Sequence, residues 1–265
     1  MTKTARKVLR TLQSEFPSLK EAREGFSRHG RRWLRIPHES DFRALALFPP
    51  AIQGCFIDVG ANQGQSIESI LLFRPDAQII SFEANPGLAQ RLAARYGKRR
   101  NIRVVAEGLA DSAGSFNLSV PSYNGFVYDG LGSFDNATAA AWISEETVFR
   151  FKPKKLRIAQ VACTANTLDS HGLEPIFIKV DVEGYEYRVL AGGKDTLRRC
   201  RPILLVENLR GDARTALLAQ ELGYEEYYFD GAGLRRGQSR SANAFLVTAD
   251  RLETLLGREL NQTSS

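Results

Sequence analysis

The residues whose types and spacing can do chemistry are acids and glycines at the ends of short apolar runs. Asp58 follows Phe56-Ile57 and is itself followed by Val59-Gly60-Ala61-Asn62-Gln63-Gly64. Glu83 closes a second apolar run, nineteen residues past Gly64. Asp181 closes Ile178-Lys179-Val180, with Glu183 and Glu186 just beyond it, and Glu207-Asn208 closes Leu204-Leu205-Val206. Glycines after a strand let a ligand lie against bare main chain, because a side chain there would block the approach. An acid at the end of the next strand can accept hydrogen bonds from ribose hydroxyls. Together these features describe a nucleoside cofactor site.

The glycine loop discriminates between cofactors. A dinucleotide site needs Gly-x-Gly-x-x-Gly to admit a pyrophosphate. Here Asn62 stands where the middle glycine would be, and Asp58 would repel a dianion while suiting the positive amino group of a methionine tail. S-Adenosylmethionine therefore fits better than a nicotinamide dinucleotide.

The later acids suit proton or metal chemistry. Removing a tightly held proton from an acceptor needs help from a base or a metal ion. Asp181 is suited to contact the donor, to act as base or to bind metal, and Glu183 and Glu207 join it as catalytic candidates. Asp181, Glu207 and Asn208 are oxygen ligands that suit Mg²⁺ if they converge. The plain alternative for Glu183 and Glu186 is stabilising a helix N-terminus, and for Glu207 it is shaping the pocket. His171 sits in a turn with no partner identifiable from sequence.

The elements that position these residues alternate. Strands are expected at 55–60, 78–83, 102–107, 176–181 and 203–207, and helices at 65–73, 86–96, 185–199 and 212–222. Two last strands, Tyr224–Asp230 and Asn243–Thr248, should pair antiparallel at the sheet edge, joined by a Gly/Arg-rich loop. This pattern predicts an α/β chain with a mostly parallel, seven-stranded Rossmann-like sheet and helices on both faces. An insertion at about 108–175 breaks the rhythm and reads as a lid or substrate wall. Its aromatics Tyr123, Phe126, Tyr128, Phe134 and Trp142 suit either stacking on a flat ring or packing the lid.

Residues 1–50 read as a basic helical extension, 51–250 as the main domain and 251–265 as a helix end and tail. Residues 1–45 carry eleven Lys/Arg against five Asp/Glu, which accounts for the net charge of +6. Such an arm suits a solvated face, nucleic acid or an acidic surface. Val8, Leu9, Leu12, Phe16 and Leu19 recur at helical spacing, so residues 3–20 suit docking on the domain or peripheral membrane contact. No apolar run reaches the ~20 residues of a membrane span. Cys55, Cys163 and Cys200 show no paired metal spacing; with no secretion signal evident, a cytoplasmic location is expected.

Asp58-Val-Gly-Ala-Asn-x-Gly64, Phe82-Glu83-Ala84-Asn85-Pro86 and Ile178-Lys179-Val180-Asp181-Val182-Glu183-Gly184-Tyr185-Glu186 resemble the FkbM family of S-adenosylmethionine-dependent methyltransferases. Leu205-Val206-Glu207-Asn208 and Asn243-Ala244-Phe245-Leu246 also fit, and the likeness spans roughly residues 54–248. Ala84 departs from the proline more usual there. The resemblance implies a class I methyltransferase fold. It implies that Asp58, Gly60, Ala61, Asn62 and Gly64 line the methionine side, that Glu83 holds the ribose beside Ala84, that Gly108 and Leu109 lie by adenine, and that Asp181 also touches the cofactor. It further implies O-methylation of a sugar, glycolipid or secondary metabolite, a small-molecule or glycan acceptor rather than nucleic acid. The alternatives are a nucleic-acid methyltransferase using the basic arm, against which no Asn/Asp-Pro-Pro-aromatic motif is present, and a non-catalytic module that keeps the fold.

Overall fold

A computed structural model describes residues 3–15, 36–49, 54–238 and 241–256. Phe16 and Leu19 of the N-terminal pattern lie outside the described residues. The chain opens with helix α1 (Lys3–Glu15) and, after the undescribed stretch, a 3₁₀ segment (Ser40–Leu47). It continues through β1 (Cys55–Val59), α2 (Gln65–Phe73), β2 (Gln78–Phe82), α3 (Pro86–Tyr96) and β3 (Ile102–Val105). Then come β4 (Gly108–Leu109), β5 (Gly114–Tyr123), β6 (Phe126–Val127), α4 (Asn136–Ala141) and β7 (Leu156–Asn166). The rhythm resumes with β8 (Pro175–Val180), α5 (Glu186–Ala191), α6 (Lys194–Cys200), β9 (Ile203–Glu207) and α7 (Ala213–Glu221). It ends with β10 (Glu225–Phe229), β11 (Leu234–Arg236), β12 (Asn243–Val247) and α8 (Ala249–Leu256).

The main sheet runs β11-β10-β12-β9-β8-β1-β2-β3, with β12 inserted antiparallel between β9 and β10. The order reverses between β1 and β8, which makes their C-terminal ends a crevice where ligands bind in open α/β sheets. The expected class I methyltransferase arrangement is present with eight strands instead of seven. The extra strand, β11, comes from the loop after β10, where Tyr227, Tyr228 and Phe229 pair with Arg236, Arg235 and Leu234.

Alternation along the strands makes two cores. Phe56, Phe177, Leu205 and Phe245 pack on one face with Ile67, Ile70, Leu92 and, from the 3₁₀ segment, Phe42 and Leu45. Ile57, Ile178, Val180, Leu204 and Val206 pack on the other with Val189, Leu197 and Leu218. Residues 42–48 are thus part of the domain core and not an appended arm. Period-2 alternation carries Lys179 to the face of Phe177, the face that the 3₁₀ segment covers.

The helix expected over 185–199 is two helices, broken at Gly192-Gly193. A Cβ on Gly192 would lie 1.9 Å from the Ala110 carbonyl oxygen, so close main-chain contact explains the glycine. The insertion forms its own sheet, ordered β4-β7-β5-β6, in which β5 pairs with the distant β7 along its whole length and closes a short hairpin with β6. Tyr123, Phe126 and Tyr128 are buried with Ile143 and Val148 in a separate small core. α1 docks on this insertion through its polar side: Arg10 donates to the Trp142 carbonyl at 2.7 Å, and Asn124 donates to the Ser14 carbonyl at 2.9 Å. Tyr128 Oη donates to the Arg10 carbonyl at 3.1 Å, while Val8 and Leu12 are exposed. Among the described residues no helix is long and apolar enough to cross a membrane.

Candidate active site

A cavity of about 270 Å³ opens at the C-terminal ends of β1, β2, β8 and β9. On one side lie Gly60, Asn62, Glu83, Ala84, Gly108 and Leu109; on another lie Asp181, Glu183 and Glu207. The insertion supplies Gly130, Gly132, Ser133 and Phe134, so it does form a wall of the cavity. The segment before β1 supplies His38 and Glu39.

The glycine loop is shaped by close contacts. Gly60 has φ +84°, and a Cβ there would sit 1.8 Å from the carbonyl oxygen of Asp181. Gly64 has φ +85°, just ahead of α2, and its missing side chain makes room for Tyr96 and Leu92. The amides of Gly60 and Ala61 both donate to the Phe82 carbonyl, at 3.0 and 3.1 Å. Asn62 has φ +48°, and its main-chain N–H donates to Glu83 Oε2 at 2.6 Å. Glu83 Oε1 accepts from the Asn85 N–H at 2.8 Å. Burial pushes the Glu83 carboxyl up, and these two amides pull it back. Among the described residues nothing donates to the buried Asn62 Oδ1.

Asp58 does not line the cavity. It is fully buried beneath the loop, where Oδ2 accepts from Ser81 Oγ at 2.9 Å and Oδ1 has no partner. Burial, reinforced by Asp181, lifts its pKa to about 7 despite the Ser81 bond. Ala61 and Gly64 also stand behind the lining, whereas Gly60, Asn62, Glu83, Ala84, Gly108, Leu109 and Asp181 face it. At Gly108 a Cβ would meet Phe134 Cζ at 3.1 Å and Ala84 Cβ at 3.2 Å, so small residues keep that end open.

The acidic end is built around a lysine that the sequence reading passed over. Lys179 is fully buried, and its Nζ donates to Asn243 Oδ1 at 2.8 Å. The same ammonium lies 3.8 Å from Glu39 Oε2 and 3.9 Å from Asp181 Oδ2. Burial alone would lower its pKa, but Asp181, Glu39, Glu207 and Asp58 outweigh that and hold it above the ordinary lysine range. A lysine inside the otherwise apolar run Ile176–Val180 was the available signal; His38 and Glu39 had none, because only the fold brings residues 36–49 to the crevice.

Interaction with the neighbouring Asp181 carboxyl, together with burial, pushes the Glu207 carboxyl up to about 9. Asp181 and Glu207 thus form a crowded acidic corner of the cavity in which the Glu207 carboxyl is biased towards its protonated form. Glu183, at φ +49°, is pushed up to about 8 by burial and by the like charges of Asp181 and Glu186. Its carbonyl accepts from Ser133 Oγ at 3.1 Å, which ties the insertion to the turn after β8. Glu186 faces back into its own turn, accepting from the Gly184 N–H at 3.1 Å, the helix-start role.

The three Mg²⁺ candidates are not brought together. Asp181 and Glu207 line the cavity, but the Asn208 amide lies against Gly211, where an added Cβ would meet Nδ2 at 2.2 Å. Among the described residues no group of three or more His, Cys, Asp or Glu side chains is arranged to hold a metal ion. The positive charge beside Asp181 belongs to Lys179. His171 also stays outside the cavity, edge-on to Phe82 at 4.8 Å, with Nε2 3.1 Å from Glu107 Oε1. Of the insertion aromatics singled out, only Phe134 lines the cavity.

Comparison with known proteins adds the following. The 2-O-methyltransferase NoeI of Sinorhizobium fredii (strain NBRC 101917 / NGR234) is 27% identical over 152 residues, 55% of this chain and 59% of NoeI. The chain thus spans about three fifths of that curated relative. Among solved structures, methyltransferase FkbM from Methylobacillus flagellatus KT matches with a TM-score of 0.44 at 15% identity, covering 77% of this chain and 48% of that one. Aeropyrum pernix fibrillarin, solved with natively bound S-adenosyl-L-methionine, matches with a TM-score of 0.39 at 13% identity, covering 78% and 75%. The methyltransferase FkbM domain matches residues 58–226, from the acid at the glycine loop into β10. That match spans well over half of the chain, which belongs to the FkbM methyltransferase family.

Proposed function

We propose that this chain is an S-adenosylmethionine-dependent O-methyltransferase whose acceptor is a hydroxyl of a sugar, glycolipid or secondary metabolite. The observation that carries this reading is the placement of Asp181 and Glu207 in the same cavity as Gly60, Asn62 and Glu83.

The residues present fit the cofactor. Glu83 keeps a free lone pair on each oxygen after accepting two amides, enough to receive ribose hydroxyls. Asn62 Oδ1 is a buried acceptor in want of a donor. Gly60, Ala84, Gly108 and Leu109 leave main chain and small side chains exposed to a flat, mostly apolar ligand. Asp58 sits too deep for direct contact, so its role is to fix the loop from below. When bound, S-adenosylmethionine supplies an activated methyl group, and what remains for the protein is alignment and proton removal.

Asp181 is the group for that proton. Its carboxylate lines the cavity beside Glu207, so a proton taken from an acceptor hydroxyl enters a pair of neighbouring carboxyls. Lys179, 3.9 Å away, steadies the negative charge of the pair without a metal ligand set. Phe134 and Ser133, from the insertion, wall the cavity beside Gly108 and the Glu183 turn.

The test is calorimetry with S-adenosylmethionine, followed by incubation with hydroxylated metabolites and glycans and detection of the mass gain of one methylene. Absence of cofactor binding overturns the whole reading. Cofactor binding with methylation confined to amines or nucleic acid overturns the hydroxyl assignment.

A further inference from the structure

We propose that Glu39, from the segment that precedes the matched domain, binds a hydroxyl of the methyl acceptor, and that Asn243 and Lys179 are the positioning residues that hold it there. The inference rests on the hydroxyl-methylation reading above and assigns one wall of that site. The family match begins at residue 58, so nothing in it assigns a role to residue 39.

The placement of Glu39 is built, not incidental. Its segment is pinned by three independent means. Phe42 and Leu45 are fully buried in the core on that face of the sheet. The His38 N–H donates to Ser69 Oγ at 2.8 Å. The Arg74 guanidinium donates to the carbonyls of Leu45, Phe48 and Pro49, the first and last at 3.1 Å. A carboxylate anchored this way loses little further freedom on binding a ligand.

The carboxylate is also half-spent. Oε2 accepts from Asn243 Nδ2 at 2.9 Å and faces Lys179 Nζ at 3.8 Å. Among the described residues nothing donates to Oε1. The side chain is 23% exposed and lines the same cavity as Asp181 and Glu207. An acid wanted only for its salt bridge would be expected to turn both oxygens inward. Instead one oxygen is clamped and the other is left to receive a donor from the cavity.

Asn243 has the matching geometry. Its Oδ1 accepts from Lys179, while its Nδ2 donates to Glu39 Oε2 and, at 3.2 Å, to Asp41 Oδ2. One amide, 4% exposed, therefore links the buried ammonium of β8 to two acids of the 3₁₀ region. Lys179 in turn stands between Glu39 and Asp181, so the hydroxyl-binding acid and the proton-accepting acid share one fixed cation. Acceptor hydroxyls would be recognised at Glu39 and deprotonated at Asp181, which lie 3.8 and 3.9 Å from the Lys179 ammonium.

The experiment uses the full chain, saturating S-adenosylmethionine and a panel of methyl glycosides of neutral hexoses, deoxyhexoses and N-acetylhexosamines. Glu39→Ala is expected to raise the acceptor KM about tenfold or more, the usual worth of a hydrogen bond to a charged group. Its kcat should stay within a few-fold and its cofactor affinity by calorimetry should not change. Asn243→Ser should raise the acceptor KM in the parent chain and add nothing in the Glu39→Ala background, since it acts through Glu39. An unchanged acceptor KM in Glu39→Ala, or a parallel loss of cofactor affinity, overturns the inference. A parent chain that binds the cofactor but methylates neither these glycosides nor any hydroxylated metabolite or glycan of the screen above overturns the hydroxyl reading first, and the inference with it, so the two failures are told apart by the parent alone.

Discussion

The main-chain N–H of Asn62 donates to Glu83 Oε2 at 2.6 Å, so the loop after β1 is fastened to the end of β2 by a carboxylate. The bond does two things: it fixes a left-handed residue, φ +48°, and it orients the acid that the cofactor ribose would meet. Glu83→Ala removes two charge-assisted acceptors at once and leaves the Asn62 amide without its partner. Cofactor affinity should fall at least tenfold, with a stability loss of about 1–3 kcal/mol. Calorimetry and urea unfolding of the same variant check both. Full affinity in a folded Glu83→Ala chain would remove Glu83 from the site.

Gly60 packs against the main chain of Asp181, the proposed proton acceptor. A Cβ would stand 1.8 Å from the Asp181 carbonyl oxygen, and φ is +84°. Gly60→Ala must therefore displace the Asp181 turn as well as bear left-handed strain. Gly231, at φ +100° with nothing within 4 Å of its Cβ, is the control. Gly231→Ala should cost about 1–2 kcal/mol, the strain alone. Gly60→Ala should cost more and lose most turnover. Equal losses in the two variants would mean that the contact with Asp181 yields freely.

How much of this was legible in the sequence follows from what each signal depends on. The strands carrying Asp58, Glu83, Asp181 and Glu207 were readable because burial on both faces demands short apolar runs, and the crevice follows from their order. Asp58 was read as a ligand-facing residue; strand alternation sends it to the core face instead, opposite Lys179 in the β1–β8 register. Register depends on pairing, which a single strand does not reveal. Glu39 was invisible because its role arises from a tertiary contact with Asn243, 204 residues away. The insertion was recognised as a wall but not as a sheet, since β5 and β7 pair across the 3₁₀ turns and α4 between them. Asn208 was placed with Glu207 by adjacency, yet its φ of +52° starts a turn that carries the side chain away.

Three buried acids set the pH dependence of stability. Asp58, Glu183 and Glu207 are raised to about 7, 8 and 9, all above their values in an unfolded chain. Between about pH 5 and 9 the native state thus binds more protons than the unfolded state, and stability falls as pH rises. The contribution is complete below the ordinary carboxylate range and is lost as each native pKa is passed. Urea unfolding at intervals across that window should show a steady decline. Glu207→Gln, which keeps the shape of the side chain without a titrating proton, should remove about one proton's worth of the slope at its upper end. A slope unchanged by Glu207→Gln would mean that Glu207 does not hold the proton of the pair.

The last prediction concerns the cation itself. Lys179 and Asp58 are directly paired across β1 and β8, and both side chains are fully buried. Lys179 also compensates Asp181 and Glu39, so removing it strands several acids and leaves Asn243 Oδ1 without its donor. Lys179→Met should cost about 3–5 kcal/mol, the range for breaking a buried ion pair by deleting one partner. Adding Asp58→Asn should recover part of that loss, because it removes one stranded acid while its amide can still meet Ser81. Asp181→Asn separates catalysis from packing: stability should change little, and turnover should fall about 10²–10⁴-fold, the worth of a general base. If Asp181→Asn keeps full turnover while Lys179→Met abolishes it in a folded chain, the proton must leave by another acid of the cavity, and Glu183 becomes the residue to substitute next.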